Sequence, residues 1–178
     1  EGKVFTLFYN VLSFYELYRD KELEIHLTPT PLLAKERGET QSGERSVLDQ
    51  WILARLNQTI KTMTETMDAY KLMEPVRELR EFIGDLSTWY LRRSRDRIKD
   101  ESANPEPEQA RYGARQTLYF VLKTVSKLLA PYAPFAAEDI WLTLKNESDS
   151  ESVHLEMWPE AGEIHSDILE NMRMLRET

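Results

Sequence analysis

The chain has 178 residues, 41% hydrophobic and 30% charged, with a net charge of −8. That size and composition suit one globular domain with a core of its own. The absence of cysteine excludes disulfides and thiolate metal sites, no apolar run approaches the roughly 18 residues of a membrane span, and the acid excess argues against a general affinity for nucleic acid.

Glu1-Gly2-Lys3 is neither a signal peptide nor a methionine start, so the chain reads as a piece of a longer one. Phe5, Phe8, Tyr9, Leu12, Tyr15 and Tyr18 recur at spacings of three and four, which predicts a helix over 3–19 with one apolar face. Residues 21–45 read as a long irregular connection, because Pro29 and Pro31 each bias the residue before them away from the α region. Leu32 and Leu33 are expected to pin it to the bundle, and 38–45 is polar.

Ser46 is a candidate N-cap, with Asp49 where the acid of a capping box belongs. Leu48, Ile52, Leu56, Ile60, Met63, Met67 and Tyr70 continue the second helix as one stripe. A third helix is expected from Pro75, a good first-turn residue, with Val76, Leu79, Phe82, Ile83, Leu86 and Tyr90 facing inward. Residues 101–109, with Pro105 and Pro107, read as a loop. A fourth helix over 110–130 is buried through Leu118, Leu122, Val125, Leu128 and Leu129. Pro131 and Pro134 bracket a corner before a fifth helix over 135–145, built on Ile140, Trp141 and Leu144. Residues 146–166 are expected to be irregular, with 153–155 extended and Trp158-Pro159 packing or turning, before a last amphipathic helix over 167–177. The expected fold is all-α: a helix bundle with strand content near zero, spanning 1–178 as a single domain.

Little in this sequence resembles a reaction centre. His26, His154 and His165 do not pair at metal or catalytic spacing, and the six glycines are scattered rather than gathered into a phosphate cradle. Glu65/Asp68 and Glu78/Glu81/Asp85 lie on helices among lysines and arginines, so solvated faces explain them better than an acid–base pair.

One local feature opposes the overall charge. Residues 92–99 hold five basic groups and one acid, a local +4 within a total of −8, which leaves −12 elsewhere. On an unbroken helical wheel, Arg93 and Arg97 share the inner face with Leu79, Phe82, Ile83, Leu86 and Tyr90, while Arg92, Arg95 and Lys99 face outward. Arg93 and Arg97 must therefore emerge beyond the core or find acids within it. Two explanations of the run stand side by side. Bases gather at helix C-termini because the macrodipole favours them there. They also form phosphate-contacting edges, here with Trp89 and Tyr90 as surfaces for a base or ribose.

The stretch Ser46-Val47-Leu48-Asp49-Gln50-Trp51-Ile52-Leu53-Ala54-Arg55-Leu56-Asn57 resembles the helix that opens the anticodon-binding domain of class Ia aminoacyl-tRNA synthetases for valine, isoleucine and leucine, which more often have arginine at the position of Gln50. Leu79 to Arg95, with Trp89-Tyr90-Leu91-Arg92-Arg93, is most similar to the isoleucine enzymes, with the valine enzymes next. Asn10-Val11-Leu12-Ser13-Phe14-Tyr15, Leu128-Leu129-Ala130-Pro131-Tyr132-Ala133-Pro134-Phe135 with Glu138, and Ser152-Val153-His154-Leu155 through Trp158-Pro159 extend the resemblance over nearly the whole chain, 38–45 excepted.

The resemblance implies a cytoplasmic, monomeric module that docks the anticodon arm of the tRNA for isoleucine while a separate catalytic domain of the same parent chain uses ATP and magnesium. It implies neither a catalytic residue nor a cofactor in this part, since neither ATP signature of that catalytic domain is present. Arg92, Arg95 and Lys99 are the expected phosphate contacts, and Arg93 and Arg97 are further contacts or structural pairs. The alternatives are the same domain of a valyl enzyme, or a helical scaffold that packs on the catalytic domain without touching RNA.

Overall fold

The computed structural model describes residues 2–19, 46–99 and 105–177, with 105–109 as backbone alone. The expected connection over 21–45, His26 and the 38–45 segment lie outside them. Among the described residues seven α-helices run in chain order: α1 (Gly2–Tyr18), α2 (Val47–Asp68), α3 (Met73–Gly84), α4 (Arg92–Lys99), α5 (Pro105–Leu129), α6 (Pro134–Leu144) and α7 (Ser166–Glu177). A π-helical segment, Asp85–Leu91, joins α3 to α4 without a break. Among the described residues there is no strand, and the fold is the all-α bundle the periodicity predicts.

Helix α2 is the axis of the bundle. Ser46 caps it, its hydroxyl accepting from the Asp49 backbone N–H at 3.3 Å. Beyond the predicted stripe it also buries Trp51, Leu53, Ala54, Asn57 and Thr59, because α3, α5, α7 and the π segment surround it. The stripe ends before Tyr70. Helix α2 stops at Asp68, and Tyr70 takes a left-handed φ of 58° and is 92% exposed. Its N–H donates to the Met67 carbonyl and that of Lys71 to Thr66, the paired bonds of a Schellman C-cap. The short turn then sends α3 back antiparallel along α2.

Two other boundaries differ from the sequence reading. Helix α3 begins at Met73, so that Pro75 is buried while Val76 points outward. Helix α5 begins at Pro105 rather than after 109. The first N–H groups of a helix have no intrahelical partner, so prolines at 105 and 107 remove nothing the helix needs. From Ala114 to Leu129, α5 presents Leu118, Val121, Leu122, Val125 and Leu128 to the core, and α6 folds back on it through Ile140, Trp141 and Leu144.

Residues 145–165 contain one helical segment, the 3₁₀ turn Val153–Leu155, where an extended stretch was expected. Glu138 produces that turn: its carboxylate accepts from the Ser152 hydroxyl and the Val153 N–H, both at 2.9 Å. The remainder is fastened by polar side chains of the core helices. Trp141 Nε1 donates to Ser150 O at 3.1 Å, Trp158 Nε1 to Thr64 Oγ1 at 2.9 Å, and Asn57 bonds both Glu163 O and the Gly162 N–H. Lys127 pairs with Glu156 at 2.6 Å.

A non-glycine residue held left-handed costs about 1–2 kcal/mol, and glycine is the usual occupant of a C-cap position of this kind. Tyr70→Gly should therefore stabilise the fold, by about 0.5–1 kcal/mol once glycine's greater chain entropy is counted. Chemical denaturation of the two proteins checks this; an unchanged or lower midpoint contradicts it.

Candidate nucleic-acid interface

The π segment decides which bases reach the surface. Widening the hydrogen-bond ring from i→i+4 to i→i+5 reduces the rotation per residue, and seven such residues set the following helix back by roughly 90°. The buried positions follow that shift: Leu79, Phe82, Ile83, Leu86 and Tyr90 continue as Leu91, Ser94 and Ile98. The hydroxyl of Thr88 donates to the Gly84 carbonyl at 2.7 Å, satisfying a group inside the widened turn.

Arg93 is consequently not on the inner face, as the unbroken wheel placed it. It is exposed, and its guanidinium lies 4.0 Å from the centroid of the Trp89 ring. Arg92, Arg95 and Lys99 are exposed as expected, so four cations share the outer side of α4. Among the described residues none of the four forms an ion pair.

Arg97 has the other fate anticipated for it. Its side chain is 20% exposed, and Nη1 and Nη2 donate to the two oxygens of Asp49 at 2.6 and 2.7 Å. Asp49 is 1% exposed and also accepts from the Tyr90 hydroxyl at 2.7 Å, while Ser94 Oγ takes a further Arg97 bond at 3.2 Å. Burial works against the Arg97 charge, but the hydrogen bonds and charge of Asp49 outweigh it and the guanidinium is held charged. Burial also pushes the Tyr90 phenol well above its ordinary value, and Asp49 adds to this, so Tyr90 is a fixed donor.

Tyr90 is therefore a core residue at 0% exposure, not a surface for a base. Trp89 is half-buried, with its ring lying under Arg93 and, at 5.2 Å, under Arg176 of α7.

The aromatic surface beside the bases comes instead from α1. Phe14 and Tyr18, with ring centroids 4.8 Å apart, are partly exposed. Arg95 lies 5.5 Å above Phe14, and Lys99 lies 6.0 Å from Phe14 and 5.7 Å from Tyr18. The sequence held a signal for this pair: Phe14 falls off the apolar stripe of α1 and stands four residues from Tyr18, one helical turn away.

Two acids read as solvated are paired. Arg55 joins Glu78 and Asp85, and Asp85 also accepts from Arg176 Nη2 at 2.7 Å. Their side chains are only 18% and 14% exposed. Asp49, read only as a capping acid, is the other residue whose role the sequence pattern concealed. Among the described residues no group of histidines and acids can hold a metal ion, and no helix is long and apolar enough to cross a membrane.

The family model for the anticodon-binding domain of tRNA ligases matches residues 49–178. The chain belongs to this family. It is 39% identical to the isoleucine–tRNA ligase of Clostridium novyi over 163 residues, 90% of this chain and 14% of that protein. Against the isoleucine–tRNA ligase of Clostridium acetobutylicum the identity is 36% over 179 aligned positions, 98% of this chain and 16% of the relative. The isoleucine–tRNA ligase 2 of Bacillus thuringiensis is 38% identical over 154 residues, 86% of this chain and 13% of the relative. The chain thus spans about a seventh of the length of these curated relatives. The anticodon-binding domain is distinct from the catalytic part of such ligases, and this chain matches that domain.

Within this domain the buried cluster separates two kinds of substitution. Asp49→Ala leaves the Arg97 charge and the Tyr90 hydroxyl without their shared partner and should cost about 3–5 kcal/mol. Tyr90→Phe removes one hydrogen bond from a carboxylate that keeps Arg97, and should cost about 1–2 kcal/mol. Urea unfolding of both variants tests the order; equal losses would mean that Asp49 does not organise the cluster.

Proposed function

We propose that this chain is the RNA-docking domain of an isoleucine–tRNA ligase, holding the anticodon arm of the tRNA for isoleucine while a catalytic domain elsewhere in the parent chain performs aminoacylation with ATP and magnesium. The observation that carries the reading is the outer side of α4, where Arg92, Arg93, Arg95 and Lys99 are exposed together on a molecule of net charge −8. Phosphate contacts of this kind fix register and orientation. Phe14 and Tyr18 beside them offer what single-stranded RNA uses in addition, aromatic surface next to positive charge.

Arg97 contributes by holding α4 in place rather than by meeting phosphate. The named relatives are isoleucine–tRNA ligases, which favours that substrate over the tRNA for valine. Such a role belongs in the cytoplasm.

A second surface supports contact with the rest of the parent chain. Tyr70, Leu72, Met73 and Val76 are 92%, 67%, 61% and 40% exposed at the α2–α3 turn, roughly 30 Å along α2 from Asp49. One end of the bundle would then face RNA and the other protein.

Filter binding of a transcript of the tRNA for isoleucine at low salt should show retention, with a slope of log K against log salt of roughly −2.8 to −3.6 for four neutralised phosphates. The double variant Arg92→Glu/Arg95→Glu should abolish retention. Unchanged retention would remove the α4 edge from the mechanism.

A further inference from the structure

Trp89 connects the exposed edge of α4 to helix α7. Its Nε1 is buried and has no hydrogen-bond partner among the described residues, and packing against two cations orients the ring. Two guanidinium groups supply that packing: Arg93 at 4.0 Å and Arg176 at 5.2 Å from the centroid. Arg176 in turn is anchored. Its Nη2 reaches Asp85 Oδ1 at 2.7 Å, it lies 5.8 Å from the Trp51 ring, and the other Asp85 oxygen accepts from Arg55. Asp85 and Trp89 both belong to the π segment that turns Arg93 outward. Helix α7 is therefore fastened to that segment at its first residue and again over its aromatic ring.

A planar guanidinium resting on an indole keeps its N–H edge free for a phosphate and has already lost much of its side-chain freedom. Anything that moves the indole moves that donor edge. We propose that Arg176 is a positioning residue for Arg93, acting through Trp89, so that α7 tunes RNA affinity without contacting RNA. The proposal rests on the α4 edge being the RNA-facing surface and goes beyond it by assigning a role to a residue of α7, whose side chain is 36% exposed beside that edge.

The test is a double-mutant cycle on the 178-residue chain, using Arg176→Gln, Arg93→Gln and both, read by filter binding of the same transcript over a range of salt. The indole N–H resonance of Trp89, assigned with Trp89→Phe, reports the ring's position. Arg176→Gln should move that resonance and weaken binding about 2- to 150-fold, the range of coupling between interacting residues. Its salt slope should stay unchanged. Arg93→Gln should make the slope shallower by roughly 0.7–0.9, and adding Arg176→Gln to it should cost nothing more.

Arg176→Lys keeps a positive charge opposite Asp85 but has no plane to lie on the indole, so it should bind as weakly as the glutamine variant. Additive losses overturn the proposal, as does a shallower slope in Arg176→Gln, a stationary Trp89 resonance, or full recovery with lysine. If Arg92→Glu/Arg95→Glu leaves binding intact, the α4 edge itself has failed, and the Trp89 resonance still reports whether α7 controls the ring.

Discussion

A carboxylate with almost no water around it is stable only where its partners stand ready, and Asp49 has four donors aimed at its two oxygens, one of them the neighbouring Ser46 hydroxyl at 3.1 Å. Of the other three, two come from Arg97 and one from Tyr90. These bonds join the first turn of α2 to the far end of the chain segment that begins with α3, across 48 positions of sequence. They set α4 against α2, and with it the direction in which the neighbouring cations point. A buried ion pair adds little net stability over an apolar substitute, but breaking it from one side is expensive. Its value here is directional: a hydrophobic contact would tolerate a slipped or rotated α4, whereas a two-pronged bond to a fixed carboxylate does not.

The π segment and this cluster act together. The segment absorbs the rotation that would otherwise leave Ser94 and Ile98 facing away from the core, and the Asp49–Arg97 pair holds the result. Of five bases within eight residues, four are left outside and one is used for construction. A helix rich in arginine thus divides its charges between holding itself and meeting a partner, and the position of each residue relative to the core decides which it does.

Much of this architecture was legible in the sequence because apolar spacing reports burial directly. Leu118, Leu122 and Val125 on α5, or Ile140 and Trp141 on α6, lie where their periodicity puts them. The cap at Ser46 was equally plain. Less visible were features that depend on an irregularity or on a partner distant in sequence. The phase of Arg93 could not be read, since a wheel assumes one rotation per residue and the π segment uses another. Tyr90 looked like a candidate platform because its apolar and polar parts are both informative, and only the location of Asp49 shows that its hydroxyl turns inward. Glu78 and Asp85 looked solvated because their partner Arg55 lies on a different helix. The opening of α5 at Pro105 was hidden by two prolines, which read as breakers unless the first turn is already known to be there.

The widened turn between Asp85 and Leu91 has one more consequence, for what the family can tolerate in that stretch. The roughly 90° by which it sets α4 back is close to the rotation of a single residue. A chain one residue shorter there would wind as an ordinary α-helix and still bring Arg97 to its carboxylate, whereas one two residues shorter would swing every downstream arginine around the axis. Length in this region is thus a structural coordinate in its own right, beside the side chains of Asp85, Trp89 and Tyr90, and a longer gap there would be felt at the charged edge before it was felt in the core.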